Sequence, residues 1–186
     1  MVRLTRIYTR RGDNGKTSLG TNVRVLKSSI RIRAIGDVDE ANASLGISRL
    51  HAEGEIDQIL SRIQNDLFDM GADLCTSEDR EERESLRIQP TQVSFLEETI
   101  DSYNKSLPSL TSFVLPGGSP LSAALHQARA IVRRAERTVC ALNETAPTNQ
   151  YVLHYLNRLS DLLFVLGRYA NQEKTGDILW VPGAYR

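Results

Sequence analysis

Three glycines, Arg10, Arg11, Lys16 and the hydroxyls of Thr9, Thr17 and Ser18 crowd the twelve-residue stretch TRRGDNGKTSLG, Thr9 to Gly20. These residue types suit one task, holding an anion. Glycines let backbone N–H groups approach it, Lys and Arg neutralise it, and hydroxyls can take an oxygen or a metal. The ending Gly15-Lys16-Thr17 invites comparison with the Walker A loop, G-x-x-x-x-G-K-[ST], but Arg10 stands where the first glycine is required. The context differs too. A Walker A loop joins a buried strand to a helix, whereas RLTRIY is short and charged and LGTN opens no helix. Two readings stay open at this point: a phosphate-binding loop of another kind, or a basic N-terminal arm.

A second concentration lies in HQARAIVRRAERTV. Arg129, Arg133 and Arg137 step by four and so share a helical face with His126 and Glu136 beside them, while Arg134 lies about 100° round the helix. Like charges at this spacing cost a helix a few tenths of a kcal/mol per pair, so something anionic should compensate. That can be acidic side chains of another helix or subunit, or a polyphosphate, for which the guanidinium fork is well suited. A polar stripe of His154, Asn157, Asp161 and Arg168 runs beside Leu156, Leu159, Leu163, Leu166 and Ala170, and Asn157 and Asp161 are unusual so close to an apolar seam. Asp37, Asp39, Glu40 and Asn42 supply carboxylates and an amide upstream, with Asp39 placed to pair with an arginine of the HQARAIVRRAERTV segment. His51, His126 and His154 stand singly, which predicts no histidine metal site. No Ser–His–Asp or Cys–His arrangement stands out, so the chemistry implied is positioning and charge neutralisation without a protein nucleophile.

The elements that must position these groups are helices. With 186 residues the chain reads as one domain, 1–186, divided into an arm (1–27), a helical bundle (28–173) and a tail (174–186). Apolar spacing predicts helices over about Ser29–Ala52, from Ile56 through Leu74, after Pro90 with Thr91 as cap, from Ser119 (cap) and Pro120 to about Asn143, and over about Asn149–Glu173. The inward faces expected are Ile35, Val38, Ala41, Asn42, Leu45 and Ser48 in the first, and Val93, Leu96, Ile100 and Tyr103 in the third. Thr76–Gln89 reads as a solvated charged connector, DILWVPGAYR as a non-helical tail, and no segment reads convincingly as a strand. The fold class is all-α, a five-helix antiparallel bundle. Lys+Arg and Asp+Glu number 23 each, so no basic excess points to nucleic acid. No apolar run approaches a membrane span and the N-terminus has no signal-peptide core, which predicts a cytoplasmic chain with Cys75 and Cys140 reduced and in the core.

Taken in order, YTRRGDNGKTSL, GDVDEANASLG, FVLPGGSPLSAALHQAR, RRAERTV and NRLSDLLFVLGRYAN resemble the PduO-type ATP:cob(I)alamin adenosyltransferases. The resemblance runs from Tyr8 to Asn171. It implies a ferritin-like, cobalamin adenosyltransferase-like five-helix bundle that assembles as a homotrimer with ATP and corrinoid at the subunit interfaces. The implied reaction moves the 5′-deoxyadenosyl group of ATP to the cobalt of cob(I)alamin or a related corrinoid and releases triphosphate. The substrates are then ATP with Mg²⁺ and the corrinoid; a corrinoid reductase and an adenosylcobalamin-dependent enzyme are implied partners. By the same resemblance Thr9, Arg10, Arg11, Gly12, Asp13, Lys16, Thr17, Ser18 and Lys27 would contact ATP from the arm. Arg133, Arg134, Glu136, Arg137 and Asn157 would complete the nucleotide site. Arg129 would pair with Asp39 across the interface, Asp161 would help order the site, and Phe113 would lie on the corrinoid side and displace the lower axial ligand. Arg10 replaces the lysine common in the family, with charge kept. From the residues alone, an ATP-sensing bundle and a purely structural helical oligomer remain rivals.

Overall fold

The computed structural model describes residues 7–20, 23–76, 86–172, 174 and 176–186. Among them are five helices: α1 (Ile30–Arg49), α2 (Gly54–Cys75), α3 (Pro90–Asn104), α4 (Pro120–Asn143) and α5 (Gln150–Gln172). Cross-helix bonds fix the directions. Arg49 pairs with Asp57 across the α1–α2 turn, while at the far end Arg31 Nη1 donates to the Leu74 carbonyl. Thr138 of α4 donates to Asp37 of α1 at 2.6 Å, and Asn157 of α5 reaches back to Glu136 of α4. Successive helices therefore run antiparallel, leaving α3 and α5 parallel, as the contacts Arg158–Glu97 and Gln172–Ser106 show.

α5 is the central element. Val152, Tyr155, Leu156, Leu159, Leu162, Leu163, Val165 and Leu166 are buried on nearly every side of it, the pattern of a helix enclosed by others. Around it pack Leu60, Ile63, Leu67, Met70 and Leu74 of α2, Leu96 of α3 and Leu125, Val132 and Val139 of α4. In α1 the inward face is Ala34, Val38, Ala41, Asn42, Leu45 and Ser48; Ile35 is half-buried, as are Ile100 and Ala170. Asp66 is a buried polar insertion into the core, where it accepts from Tyr155 Oη at 2.9 Å and from Gln92 Nε2 at 2.7 Å. That satisfies a carboxylate that would otherwise be costly to bury.

Local signals explain the helix starts. Ser119 Oγ accepts from the Ser122 N–H with Pro120 at the first position, as the sequence predicts. At α3 the cap is Gln89, one turn boundary earlier than the Thr91 expected: its N–H donates to Gln92 Oε1 at 2.8 Å. The long amide side chain at position 92 closes the turn that Thr91, already helical, cannot.

Three further expectations are corrected. Two short strands do form, β1 (Lys16–Ser18) and β2 (Arg24–Leu26), paired antiparallel with Thr17 opposite Val25; three-residue strands leave too little alternation to read from sequence. The Thr76–Gln89 connector lies largely outside the described residues, but its end is anchored: Ile88 is 1 % exposed and its N–H donates to Asp73 Oδ2 at 2.8 Å. Cys140 is exposed and Cys75 half-buried, both as free thiols, so neither is a core residue. Among the described residues no helix is long and apolar enough to cross a membrane.

Candidate active site

The glycine-rich stretch is an ordered turn leading into a hairpin. Arg10 adopts φ 60° and Gly15 φ 75°, both in the left-handed region that a β-carbon disfavours. The turn is closed by Asp13 N–H to the Arg10 carbonyl, Gly15 N–H to the Gly12 carbonyl, and Lys27 N–H to the Gly15 carbonyl at 2.9 Å. A β-carbon on Gly12 would stand 3.0 Å from Lys27 Nζ; glycine there lets that ammonium lie over the turn. Arg24, which sequence reasoning missed, organises the loop from β2. Its Nη2 donates to the Arg11 carbonyl at 2.7 Å, to the Lys16 carbonyl at 3.1 Å and to Asn14 Oδ1 at 3.4 Å. Arg10, Arg11, Lys16, Arg24 and Lys27 thus surround one small loop, with Asp13 the acidic member and the Thr17 and Ser18 hydroxyls on β1.

The α4 arginines divide. Arg134 is engaged within the chain by Asp37 and Glu40 of α1, and its hydrogen bond to Glu40 holds its pKa above the ordinary value. The acidic partners on α1 are therefore Asp37 and Glu40; Asp39, the residue expected to pair with an arginine of α4, is exposed and pairs with none among the described residues. The reason is angular: Asp37 and Glu40 flank the face of α1 that buries Val38 and Ala41 against α4, and Asp39 points past it. Arg133 and Arg137 are exposed on α4, joined only by Arg137 Nη1 donating to the Arg133 carbonyl. Arg129 is half-buried with its Nε unpartnered, and burial followed by the neighbouring Arg133 charge pushes its pKa down. A row of cations with no acidic partner among the described residues is what an anionic ligand would relieve.

Glu136 of the same helix accepts from Asn157 Nδ2 at 3.1 Å, and Asn157 Oδ1 accepts from Arg158 Nη1 at 2.6 Å. The amide of Asn157 is thereby held in one orientation, with Asp161 exposed one turn further along α5.

Beside this row opens a cavity of about 630 Å³ whose wall includes Leu110, Phe113, Val114, Phe164, Trp180 and Arg129. Phe113 is 77 % exposed, so it is no core residue. Its ring meets that of Trp180 at 5.9 Å between centroids. Trp180 was not singled out from sequence; the signal was an apolar run, ILWV, in an otherwise polar non-helical tail. Arg129 belongs both to the arginine row and to this apolar wall. Among the described residues no hydrogen bond or ion pair joins residues 9–18 to Arg129, Arg133 or Arg137 within one chain.

Fold and site together define a class: a helical-bundle ligand-binding protein in which a row of guanidinium groups without acidic partners among the described residues leads to the mouth of a large apolar cavity. The family model for cobalamin adenosyltransferases matches residues 7–170. A corrinoid adenosyltransferase of Mycobacterium tuberculosis strain H37Rv is 52% identical over 190 residues, covering 100% of this chain and 97% of its own. That of Bacillus subtilis is 40% identical, covering 93% of this chain and 91% of its own. A variant of a PduO-type ATP:corrinoid adenosyltransferase from Lactobacillus reuteri, solved in complex with cobalamin and ATP, superposes with a TM-score of 0.90 at 39% identity, covering 95% of this chain and 97% of that one. This chain belongs to the cobalamin adenosyltransferase family.

Proposed function

We propose that this chain transfers the 5′-deoxyadenosyl group of ATP to the cobalt of cob(I)alamin or a related corrinoid, releasing triphosphate, at a site completed between copies of the chain in a homotrimer. The observation that carries the reading is the double membership of Arg129, one end of an uncompensated guanidinium row and part of the wall of an apolar cavity. A polyphosphate along the row and a large apolar ligand in the cavity would meet there.

The arm residues Thr9, Arg10, Arg11, Gly12, Asp13, Lys16, Thr17, Ser18 and Lys27 hold the nucleotide with Arg133, Arg137, Asn157 and Glu136 of a neighbouring copy. Arg134 contributes by fixing α1 against α4 and by adding positive potential. The Mg²⁺ that accompanies ATP is held mostly by phosphate oxygens, and one or two protein oxygens suffice; Asp13, Thr17 and Ser18 are the suitable groups of the arm. The division into arm (1–27), bundle (28–173) and tail (174–186) follows these roles.

The corrinoid brings the nucleophile, a reduced cobalt that needs no general base. As the cobalt–carbon bond forms at ribose C5′, the C5′–oxygen bond breaks and triphosphate leaves with the electron pair. The chain supplies alignment and preorganised positive charge where negative charge develops. Phe113, exposed on the cavity wall, displaces the lower axial ligand and keeps water from the cobalt; Asp39 and Arg129 pair across the interface and Asp161 orders it. The setting is cytoplasmic, where a corrinoid reductase would supply the substrate and an adenosylcobalamin-dependent enzyme would take the product.

The test is anaerobic incubation with ATP and chemically reduced cob(I)alamin, followed by the spectral change to adenosylcobalamin. ATP binding without that change would leave a nucleotide-sensing bundle, and no ATP binding would leave a structural oligomer.

A further inference from the structure

Arg168 stands outside every role described so far, yet it is the most buried arginine described, at 5 % exposure in the interior of α5. A guanidinium so placed is destabilising unless its charge and donors are met. They are met by two segments from outside the bundle. Nε donates to Asp177 Oδ2 at 2.8 Å, in the tail, and Nη2 donates to the Pro108 carbonyl at 2.7 Å, where the loop between α3 and α4 begins.

Those two segments then build the cavity wall together. The tail turns back at Gly176, which takes φ 67°, and runs antiparallel to the loop. Leu115 N–H donates to the Ile178 carbonyl at 2.7 Å and Trp180 N–H to the Phe113 carbonyl at 2.8 Å, with Val114 bridged to Leu179. Ser112 Oγ adds a bond to the Trp180 carbonyl at 2.7 Å. The ladder is short and lies on the surface, so its own net stabilisation is small once the entropy of ordering the tail is counted. The guanidinium ties both strands of it to the rigid bundle, beside Asn171, whose Nδ2 donates to the Gly117 carbonyl and whose own carbonyl accepts from the Gly176 N–H.

We propose that Arg168, through Asp177, is a positioning residue for adenosyl transfer: it seats the tail so that Trp180 and Phe113 form one continuous wall for the corrinoid. This rests on the reading that the cavity takes the corrinoid. Arg168 touches neither substrate and acts through the wall it holds.

Trp180 is the only tryptophan of the chain, so its emission reports the seat directly and without corrinoid. In Asp177→Asn and in Arg168→Gln the full-length protein should show red-shifted Trp180 emission and stronger quenching by acrylamide. KM for chemically reduced cob(I)alamin should rise about tenfold, the scale of one lost charge-assisted bond, with KM for ATP nearly unchanged. Arg168→Lys keeps the charge but cannot reach both partners, and should fall between. Asp177→Asn changes a tail residue, so it reads the seat even where Arg168→Gln weakens the bundle. Unchanged Trp180 quenching in Asp177→Asn would overturn the seat. Parallel rises in both KM values would mark general damage and also overturn it. A loosened Trp180 with unchanged KM for cob(I)alamin would overturn the positioning role while leaving the seat, and Phe113→Ala then separates this from failure of the corrinoid reading itself.

Discussion

At the scale of single residues, environment divides groups of the same kind. Of the four α4 arginines, Arg134 is occupied by Asp37 and Glu40, whereas Arg133 has no acidic partner among the described residues. Replacing Arg133 by Ala should therefore cost the fold little. ATP binding or turnover should weaken at least about tenfold, or ~1.4 kcal/mol, from the lost phosphate contact. Circular dichroism checks the first part and isothermal titration with ATP the second; normal kinetics would remove Arg133 from the site. Phe113 admits an equally sharp test. A core phenylalanine cut to Ala costs about 3–5 kcal/mol, but this one is largely exposed, so Phe113→Ala should melt near wild type. Turnover starting from cob(II)alamin should fall much further than turnover from prereduced cob(I)alamin. An unchanged ratio of those two rates would refute its role against the axial ligand.

Among elements, the junction of the α3–α4 loop with α5 has the least tolerance. Asn171 at the end of α5 accepts from the Ser119 N–H at 2.8 Å and donates to the Gly117 carbonyl at 3.0 Å, so one amide side chain docks the start of α4 onto α5. Gly118 passes directly over it with φ 97°, and a β-carbon there would clash with the Asn171 amide. Gly118→Ala should thus destabilise by about 2 kcal/mol or more, through overpacking and backbone strain combined. Gly117→Ala would strain a similar backbone without that clash. A thermal melt comparing the two measures what the clash alone adds; equal losses would show that Asn171 yields.

For the whole molecule, buried charge couples stability to pH and exposed charge couples it to assembly. His126 is 2 % exposed beneath α5, in space left by Gly167, and neither ring nitrogen has a hydrogen-bond partner among the described residues. Burial, and then the Arg129 charge, pushes its pKa below the ordinary 6.5, with Asp177 pulling partly back. The sign follows: below about pH 6.5 the unfolded chain takes up a proton that the folded one refuses. This contribution is complete above 6.5 and is lost as pH falls. Melting temperature should drop on acidification below that point, and less steeply in His126→Asn; identical slopes would show His126 to be irrelevant. Assembly has its own test. If Asp39 and Arg129 pair between copies, Asp39→Arg combined with Arg129→Asp should recover more trimer in analytical ultracentrifugation than either change alone, whereas additive damage would argue against direct pairing.

The five helices were legible from the chain because apolar residues recur at helical spacing and Ser119-Pro120 marks a start, both local properties that tertiary contacts then reinforced. The arginine row on α4 was legible for the same reason, since a step of four fixes a face. What spacing cannot encode is which distant segment arrives at that face. Only the folded chain decided that Asp37 and Glu40, and not Asp39, meet Arg134. It also decided that Phe113 is exposed on a cavity wall completed by Trp180 from the far end of the chain, and that a buried Arg168 ties the two segments together. The β1–β2 pairing and the burial of Ile88 belong to the same group. Each depends on a contact whose partner is chosen by three-dimensional packing, which leaves no periodic trace in the sequence.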